Sequence, residues 1–205
     1  MTLNNKLGIT DAVELARVEE KLSKTKAKKL FTSGFLDRLD AGSFQALADI
    51  HHYLFEEIYD FAGKLREVNL AKGNFRFAPL SYLASALKNI EAMPQSTFDE
   101  IIEKYVEMNI VHPFREGNGR STRIWLDVIL KQNLQQVIDW SHVDKNDYLL
   151  AMERSPIKDV EIKGLLKQAL TDKVDDGAIY MRGIDASYHY EGYTLYKTDD
   201  LDDDS

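Results

Sequence analysis

Residues 112–123 read HPFREGNGRSTR, a stretch that follows one predicted helix and opens the next. Gly117 and Gly119 let the backbone approach a ligand closely, and the first turn of the new helix offers unpaired N–H groups at the positive end of its dipole. Arg120 and Arg123 lie three residues apart on that helix, so we expect both guanidinium groups to face the same anion. The stretch therefore predicts a phosphate-binding loop.

Two side chains at the start of this loop supply further chemistry. Glu116 offers a carboxylate oxygen that suits a Mg²⁺ ion shared with phosphates. His112 precedes the loop, and an imidazole that is neutral near pH 7 is a suitable general base. Taken singly, such residues are usually turns, caps or solvated side chains, but together they predict attack of a hydroxyl on a nucleotide phosphorus.

Helical periodicity dominates the rest of the chain, with apolar residues at spacings of three and four. Predicted helices begin, in chain order, at Thr10, Ser43, Pro79, Ser96, Asn118, Lys145 and Lys158. The last of them extends to Thr171. The charged residues of 14–29, Glu19 and Glu20 among them, fit a solvated face of the first helix. No repeat or low-complexity linker divides the chain, so we predict one domain of all-α class.

Residues 67–77 break the helical pattern, because apolar residues alternate on both sides of a turn at 71–74. Such alternation predicts a short β-hairpin. A lone hairpin is marginal in water, so we expect it to lean on the helices and to leave an edge open for pairing with another chain. A purely structural arm fits the alternation equally well.

The composition excludes several classes of protein. The chain has 205 residues, of which 44% are hydrophobic and 29% charged, as in ordinary globular proteins. Its net charge of −8 argues against sequence-independent binding of nucleic acid. No apolar run reaches the roughly 18 residues of a membrane span, the N-terminus does not resemble a signal peptide, and cysteine is absent. We therefore predict a cytoplasmic protein without nucleic-acid or membrane partners.

The pattern His-x-Phe-x-(Asp/Glu)-Gly-Asn-Gly-Arg-x-x-Arg in 112–123 resembles the motif of the Fic domain family at all eight fixed positions. Residues 51–66, HHYLFEEIYDFAGKLR, are similar to the family's helix that leads into a β-hairpin flap. Phe61 stands where the family commonly has tryptophan. The resemblance extends over residues 11–196 and implies a Fic-type helical bundle with a short β-hairpin flap beside the active site.

Fic enzymes mostly transfer AMP from ATP to a hydroxyl group of a target protein. The resemblance therefore implies a nucleotidyltransferase, a protein adenylyltransferase that modifies Ser, Thr or Tyr of a target or of itself. It implies that His112 is the catalytic base, that Glu116 binds Mg²⁺ or another divalent ion, and that Phe114 anchors the loop in the core. ATP is the implied donor of AMP.

The resemblance also implies roles in nucleotide binding for the rest of the motif. Gly117, Asn118 and Gly119 form the anion hole for the phosphate under attack. Arg120 steadies the departing pyrophosphate, and Arg123 binds the γ-phosphate. The kinases of the superfamily have lysine at the position of Gly119, so glycine there favours nucleotidyl transfer.

The hairpin is the implied flap, on which an extended segment of the target protein docks by strand addition. The docking residues are Val68, Asn69, Leu70, Lys72, Gly73, Asn74 and Phe75. Relatives of this kind often self-associate, so a homo-oligomer stays open.

Residues 187–192, SYHYEG, resemble the inhibitory pattern (Ser/Thr)-x-x-x-Glu-(Gly/Asn) of autoinhibited Fic proteins. Their C-terminal position is similar to that of the single-domain group in which an inhibitory helix follows the Fic core. Ser187, Glu191 and Gly192 are thereby implied as inhibitory residues, with Glu191 pairing with Arg123 and denying it to the γ-phosphate. In some Fic proteins this glutamate also supports removal of AMP from a modified target.

We therefore expect a single Fic domain over residues 1–205, with a core at 11–175, an inhibitory helix at 186–196 and a disordered acidic tail at 199–205. Two alternatives stay open. One is a Fic-fold transferase with another donor, such as UTP or CDP-choline. The other is a non-catalytic nucleotide-binding module, against which the intact His112 argues because a pure binder needs no base.

Overall fold

A computed structural model describes residues 2–202. Eight α-helices form most of this part of the chain, which confirms the predicted all-α class. They are α1 (Ala12–Thr32), α2 (Phe44–Phe55), α3 (Leu83–Ala92), α4 (Phe98–Val111), α5 (Asn118–Leu134), α6 (Lys145–Arg154), α7 (Val160–Gln168) and α8 (Gly177–Tyr190). Within residues 2–202, none of the helices combines the length and the apolar character needed to cross a bilayer.

The central helix of the bundle is α5, because it packs against α2, α4 and α8. Its side chains are buried on almost every face, and Trp125 and Leu126 have no exposed surface. The indole nitrogen of Trp125 donates to the carbonyl of Ser43 at 2.9 Å and ties α5 to the start of α2. A helix that is covered all round also buries its polar residues, so Arg120 and Arg123 lie inside the protein.

Side-chain caps set where the helices begin. Ser43 caps α2 as predicted. The N-cap of α4 lies one residue later than the predicted Ser96, because Thr97 forms a capping box with Glu100. The N-cap of α1 also lies one residue later than predicted, at Asp11. Pro79 precedes a 3-10 turn that leads into α3.

Strands β1 (Ala71–Lys72) and β2 (Phe75–Arg76) form the predicted hairpin. The turn is shorter than predicted, because only Gly73 and Asn74 lie between the strands. Gly73 has a φ of 58°, in the left-handed region that glycine adopts without strain from a Cβ atom.

A second two-stranded sheet, which was not predicted, pairs β3 (Val137–Ile138) with β4 (Leu170–Thr171). Two residues are too few to show the alternation that identifies a strand. The last predicted helix, 158–171, is therefore too long: α7 covers Val160–Gln168 only, since the residues that follow it pair with β3.

The predicted bounds of the C-terminal helix, 186–196, are wrong. The helix α8 begins earlier, after its N-cap Asp176, and it ends before Glu191, which is its C-cap. Gly192 follows with a φ of 88°. The amide of Tyr193 then donates to a carbonyl of the last helical turn at 3.0 Å, which closes a Schellman motif. Glu191 thus sits at a helix end that glycine makes without strain.

Residues 193–202, which we call the C-terminal strap, lie against α1. Lys24 donates to the carbonyl of Tyr196 at 2.5 Å, and the carboxylate of Glu20 accepts from the amide of Tyr196 at 3.0 Å. Glu20 and Lys24 are each 1% exposed, so the predicted solvated face of α1 is wrong at these positions. Lys24 also lies 3.5 Å from Asp185 of α8, so this cluster joins the strap, α1 and α8.

The structure covers part of the acidic tail that was predicted to be disordered, 199–205. A 3-10 turn at Thr198–Asp200 is held by Asp185 of α8, which accepts from the amide and the hydroxyl of the first residue of the turn at 3.0 and 2.9 Å. Leu201 is 4% exposed and packs against the bundle. Residues 203–205 lie outside the described part of the chain.

Candidate active site

The loop between α4 and α5 begins and ends in left-handed backbone. His112 has a φ of 50° at the end of α4, and Gly117 has a φ of 78° at the start of α5. Between them, the side chain of Asn118 accepts from the amide of Phe114 and donates to its carbonyl, both at 2.8 Å. The loop is thus closed by one amide side chain, which leaves the backbone N–H of Asn118 available to an anion.

Phe114 points into the core with no exposed surface, and its ring stacks on the imidazole of His51 at 3.8 Å. The Nδ1 atom of His51 accepts from the amide of Gly63 at 2.8 Å, so its Nε2 carries the proton and donates to the carbonyl of Glu116 at 2.7 Å. Burial lowers the pKa of His51 to about 3, which keeps the ring neutral. His51 therefore ties α2 to the loop.

His112 lies beside the hairpin. Its imidazole stacks on the ring of Phe77 at 3.7 Å, and its Nδ1 atom is buried. Burial lowers the pKa of His112 to about 4, so the ring is neutral at pH 7. The side chain is thus held in the protonation state that a general base requires.

Arg66 joins the base of the hairpin to the end of α4. Its guanidinium donates to the carbonyls of His112 at 2.7 Å, Val68 at 2.7 Å and Val111 at 3.1 Å, and to that of Ala78. Because two of these carbonyls flank the hairpin and two lie at the end of α4, Arg66 fixes the hairpin relative to His112. Neither Arg66 nor His51 was predicted as part of the site.

Most of the predicted docking residues of the hairpin lie in solvent beside His112. Val68, Asn69, Lys72, Gly73 and Asn74 are exposed, whereas Leu70 and Phe75 are half-buried. The amide of Phe77 donates to the carbonyl of Leu70 at 3.2 Å, which extends the pairing beyond the start of β1 and the end of β2.

Arg123 is 2% exposed and has partners on each of its three nitrogens. Its Nε donates to the hydroxyl of Ser187 at 2.7 Å, and its Nη1 donates to the hydroxyl of Tyr148 at 3.2 Å. Its Nη2 donates to the carbonyl of Ser187 at 2.9 Å and to Oε1 of Glu191 at 2.8 Å. Ser187 and Glu191 of the predicted inhibitory pattern therefore both contact the last arginine of the loop motif.

The carboxylate of Glu191 also covers Gly119. A Cβ atom at position 119 would lie 2.2 Å from Oε1 of Glu191 and 3.0 Å from Nη1 of Arg123. Burial alone would raise the pKa of Glu191, but the adjacent Arg123 guanidinium holds it below its ordinary value. Glu191 therefore carries its negative charge at the place where the start of α5 would meet a phosphate.

Arg120 has a different carboxylate partner, which was not predicted. Its Nη1 donates to Oε1 of Glu19 on α1 at 2.6 Å, and the side chains of both residues are buried. Its Nη2 lies 3.5 Å from Oε1 of Glu116. The two arginines were expected to face one shared anion; in the structure each is paired with its own glutamate from outside the loop.

Glu116 is the acidic residue of the loop, and 47% of its side chain is in solvent. Its Oε1 accepts from the amide of Gly117 at 3.0 Å. Residues 2–202 contain no group of three or more side chains that could together hold a metal ion. A single carboxylate suits a Mg²⁺ ion whose other ligands are phosphate oxygens and water.

Residues 41–130, which include the loop, match the model of the Fic/DOC family. The chain is thus similar to the Fic/DOC family over the segment that carries the loop. It is similar to the protein adenylyltransferase VbhT of Bartonella schoenbuchensis, with 29% identity over 182 residues that cover 82% of this chain and 37% of VbhT. It is also similar to the probable protein adenylyltransferase Fic of Salmonella typhimurium, with 24% identity over 83% of this chain and 88% of that protein.

Solved Fic structures share this fold. BepC of Bartonella tribocorum, solved with bound AMPPNP, has a TM-score of 0.68 at 19% identity and covers 83% of this chain and 93% of its own. The effector BepA has a TM-score of 0.70 at 18% identity and covers 97% of this chain and 73% of its own. The chain spans little more than a third of the length of VbhT.

Proposed function

We propose that this protein is an autoinhibited protein adenylyltransferase, which transfers AMP from ATP to a Ser, Thr or Tyr hydroxyl of a target protein. The names of its relatives support the reaction, and AMPPNP bound to a protein of the same fold supports ATP as the donor. The observation that carries the autoinhibition is the 2.8 Å contact between Arg123 and Glu191 over Gly119.

In the proposed reaction, His112 takes the proton of the target hydroxyl. The hydroxyl oxygen forms a bond to the α-phosphorus of ATP, the bond from that phosphorus to the α,β-bridging oxygen breaks, and pyrophosphate leaves with the electron pair. The neutral imidazole is suited to this step, because its pKa of about 4 leaves it free of a proton at pH 7.

The phosphate chain would lie over the start of α5. The backbone N–H groups of residues 117–119 point to the anion there, while Arg120 and Arg123 neutralise the pyrophosphate portion. Glu116 would hold Mg²⁺ together with phosphate oxygens, and the bound metal would supply further neutralisation of the leaving group. The exposed hairpin is proposed to receive the target segment.

The proposed inhibition has an electrostatic cause and a steric cause, both supplied by the carboxylate of Glu191. The carboxylate of Glu191 lies over Gly119 and uses Nη2 of Arg123, so a γ-phosphate would meet a negative charge instead of a guanidinium. A 100-fold suppression requires only about 2.7 kcal/mol, which lies within the range of about 1.5–7 kcal/mol measured for close buried charge pairs elsewhere. Removal of AMP from a modified target, with Glu191 orienting a water molecule, is a second proposed activity of the same carboxylate.

Labelling with α-³²P-ATP tests the proposal. We expect Glu191→Gly to raise the labelling of lysate proteins by about 100-fold over the unmodified chain, and His112→Ala added to this variant to abolish it. Asp60→Gly is a matched control, since it removes a carboxylate that is 88% exposed. Intact-mass analysis identifies AMP on the labelled proteins.

Two outcomes would contradict the proposal. Unchanged labelling in Glu191→Gly would contradict autoinhibition. Labelling from γ-³²P-ATP, or from labelled UTP or CDP-choline in place of ATP, would identify another transfer reaction. For the second activity, AMP release from a modified target that survives Glu191→Gly would exclude Glu191 from that step.

A further inference from the structure

Glu19 on α1 belongs neither to the loop motif nor to the hairpin, yet three donors hold its carboxylate. Its Oε1 accepts from Nη1 of Arg120 at 2.6 Å and from the hydroxyl of Tyr193 at 3.0 Å, and its Oε2 accepts from the hydroxyl of Tyr59. The side chain of Glu19 is 3% exposed. A buried carboxylate with this many donors has one fixed orientation.

Glu19 holds the Nη1 atom of the Arg120 guanidinium, whereas the Nε and Nη2 atoms lie on its other edge. The ring centroids of Phe55, Tyr188 and Tyr193 lie 5.0, 5.3 and 4.5 Å from its central carbon. Its Nε and Nη2 atoms are buried and form no hydrogen bond of normal geometry within residues 2–202, although Nη2 lies at ion-pair distance from Glu116. Buried donors of this kind are rare in folded proteins, and a phosphate oxygen would be a suitable partner for them.

We propose that Glu19 is a positioning residue for nucleotide binding: it holds one edge of Arg120 so that the Nε and Nη2 groups of the other edge meet the pyrophosphate portion of the nucleotide. This inference rests on the proposed function. Nη2 lies 3.5 Å from Oε1 of Glu116, so this edge faces the loop where a phosphate would bind. Without Glu19, ligand binding must itself immobilise the guanidinium.

The test compares ATP with AMP, because only ATP has the phosphates that Arg120 would contact. In the Glu191→Gly background, isothermal titration should show that Glu19→Gln weakens ATP binding by about tenfold, the loss expected for one side chain that is no longer pre-ordered. AMP binding should be unchanged. Glu14→Gln is the matched control, because it makes the same change on α1 at a side chain that is 46% exposed.

A double-mutant cycle separates positioning from a general effect on the fold. If Glu19 acts through Arg120, Glu19→Gln should have no further effect on ATP binding once Arg120→Met is present. If Glu19→Gln lowers the melting temperature too far for titration, Tyr59→Phe removes one donor from Glu19 and keeps the ring, and it should give a smaller loss that is again confined to ATP.

Equal losses of ATP and AMP binding, unchanged ATP binding in Glu19→Gln, or a full effect in the Arg120→Met background would each overturn the inference. The proposed function fails separately. If the Glu191→Gly protein binds ATP and transfers no AMP, the proposed adenylyltransferase activity is disproved, and the titrations alone decide the positioning role of Glu19. If that variant binds no ATP, both are overturned.

Discussion

Two arginine–glutamate pairs flank the phosphate loop, and they differ in what carries the glutamate. The nitrogen–oxygen distances are similar, 2.6 Å for Arg120–Glu19 and 2.8 Å for Arg123–Glu191. Glu19 lies in the middle of α1 and its side chain is 3% exposed, whereas Glu191 caps the end of α8 and is 26% exposed. The same kind of ion pair thus occurs once in the middle of a helix, fully buried, and once at a helix end, partly exposed.

Under the proposed function, one of these contacts is structural and the other regulatory. Glu191 is followed by a glycine in left-handed backbone, so we expect that unwinding the last turn of α8 would remove it from Arg123. Glu19 can leave Arg120 only if α1 itself is displaced. We therefore expect the first pair to contribute mainly to stability and ligand positioning, and the second to control access.

Stability measurements give the largest expected contrast between the pairs. Arg120→Met leaves Glu19 buried without its cation, so the free energy of unfolding should fall by about 3–5 kcal/mol. Arg123→Met should cost about 1–3 kcal/mol, because Glu191 can turn into water. Urea unfolding measures both. Combining Glu19→Gln with Arg120→Met should recover part of the loss, and equal losses for the two single variants would remove the distinction.

The pH dependence of AMP transfer by Glu191→Gly, which lacks the Arg123–Glu191 pair, tests the protonation state of His112. Burial sets the pKa of His112 at about 4, below the ordinary 6.5, and the charge of Glu191 opposes this shift. A base must be neutral, so activity of Glu191→Gly should persist as the pH falls from 7 and be lost as it falls through about 4. At about pH 5.5 the rate should exceed that of a histidine with ordinary pKa by about tenfold.

The profile of kcat/KM against pH provides the measurement. An acid limb near pH 6.5 would mean that His112 is solvated in the working enzyme, and that the stacking on Phe77 is lost when Glu191 is removed.

A substitution at the contacts of the C-terminal strap should weaken the Arg123–Glu191 pair without changing either residue. Lys24→Met removes the bonds to Tyr196 and the ion pairs to Glu20 and Asp185, so α8 loses part of its attachment to α1. We expect a rise of about fivefold in labelling by α-³²P-ATP, equivalent to about 1 kcal/mol. Lys21→Met is the control, since that lysine is exposed on the same helix. Faster amide exchange at Glu191 without any rise in labelling would refute the link.

The features that the sequence predicted are local. The loop chemistry depends on residues 112–123, which lie within a few turns of backbone, and the cap at Ser43 acts over three residues. Gly192 could have marked the helix end, because glycine tolerates left-handed backbone, but the prediction continued the helix to residue 196. The bounds of α8 were missed although Asp176 is an ordinary N-cap signal that the sequence displays.

The features that were missed depend on contacts between distant segments. Glu19 and Arg120 are 101 residues apart, and nothing near Glu19 in the sequence distinguishes a buried glutamate from a solvated one. Arg66 likewise acts by reaching carbonyls up to 46 residues away. His51 did carry a signal, since it lies four residues from both Leu47 and Phe55 on the apolar stripe of α2. A polar ring on such a stripe must find partners when it is buried.

Tyr193 gives the smallest expected effect and tests whether the two pairs are independent, because it contacts the Arg120–Glu19 pair and follows Glu191 closely in the chain. It follows Glu191 by two residues, donates to Glu19 at 3.0 Å, and its ring lies 4.5 Å from the guanidinium carbon of Arg120. Tyr193→Phe removes only the hydroxyl, so the unfolding free energy should fall by about 1 kcal/mol and labelling should rise by about twofold at most. Tyr196→Phe is the control, because its hydroxyl has an exposed partner, Arg17. If Tyr193→Phe instead raised labelling as much as Glu191→Gly does, the pairs would form one coupled unit, and withdrawal of Glu191 would require Arg120 to move as well.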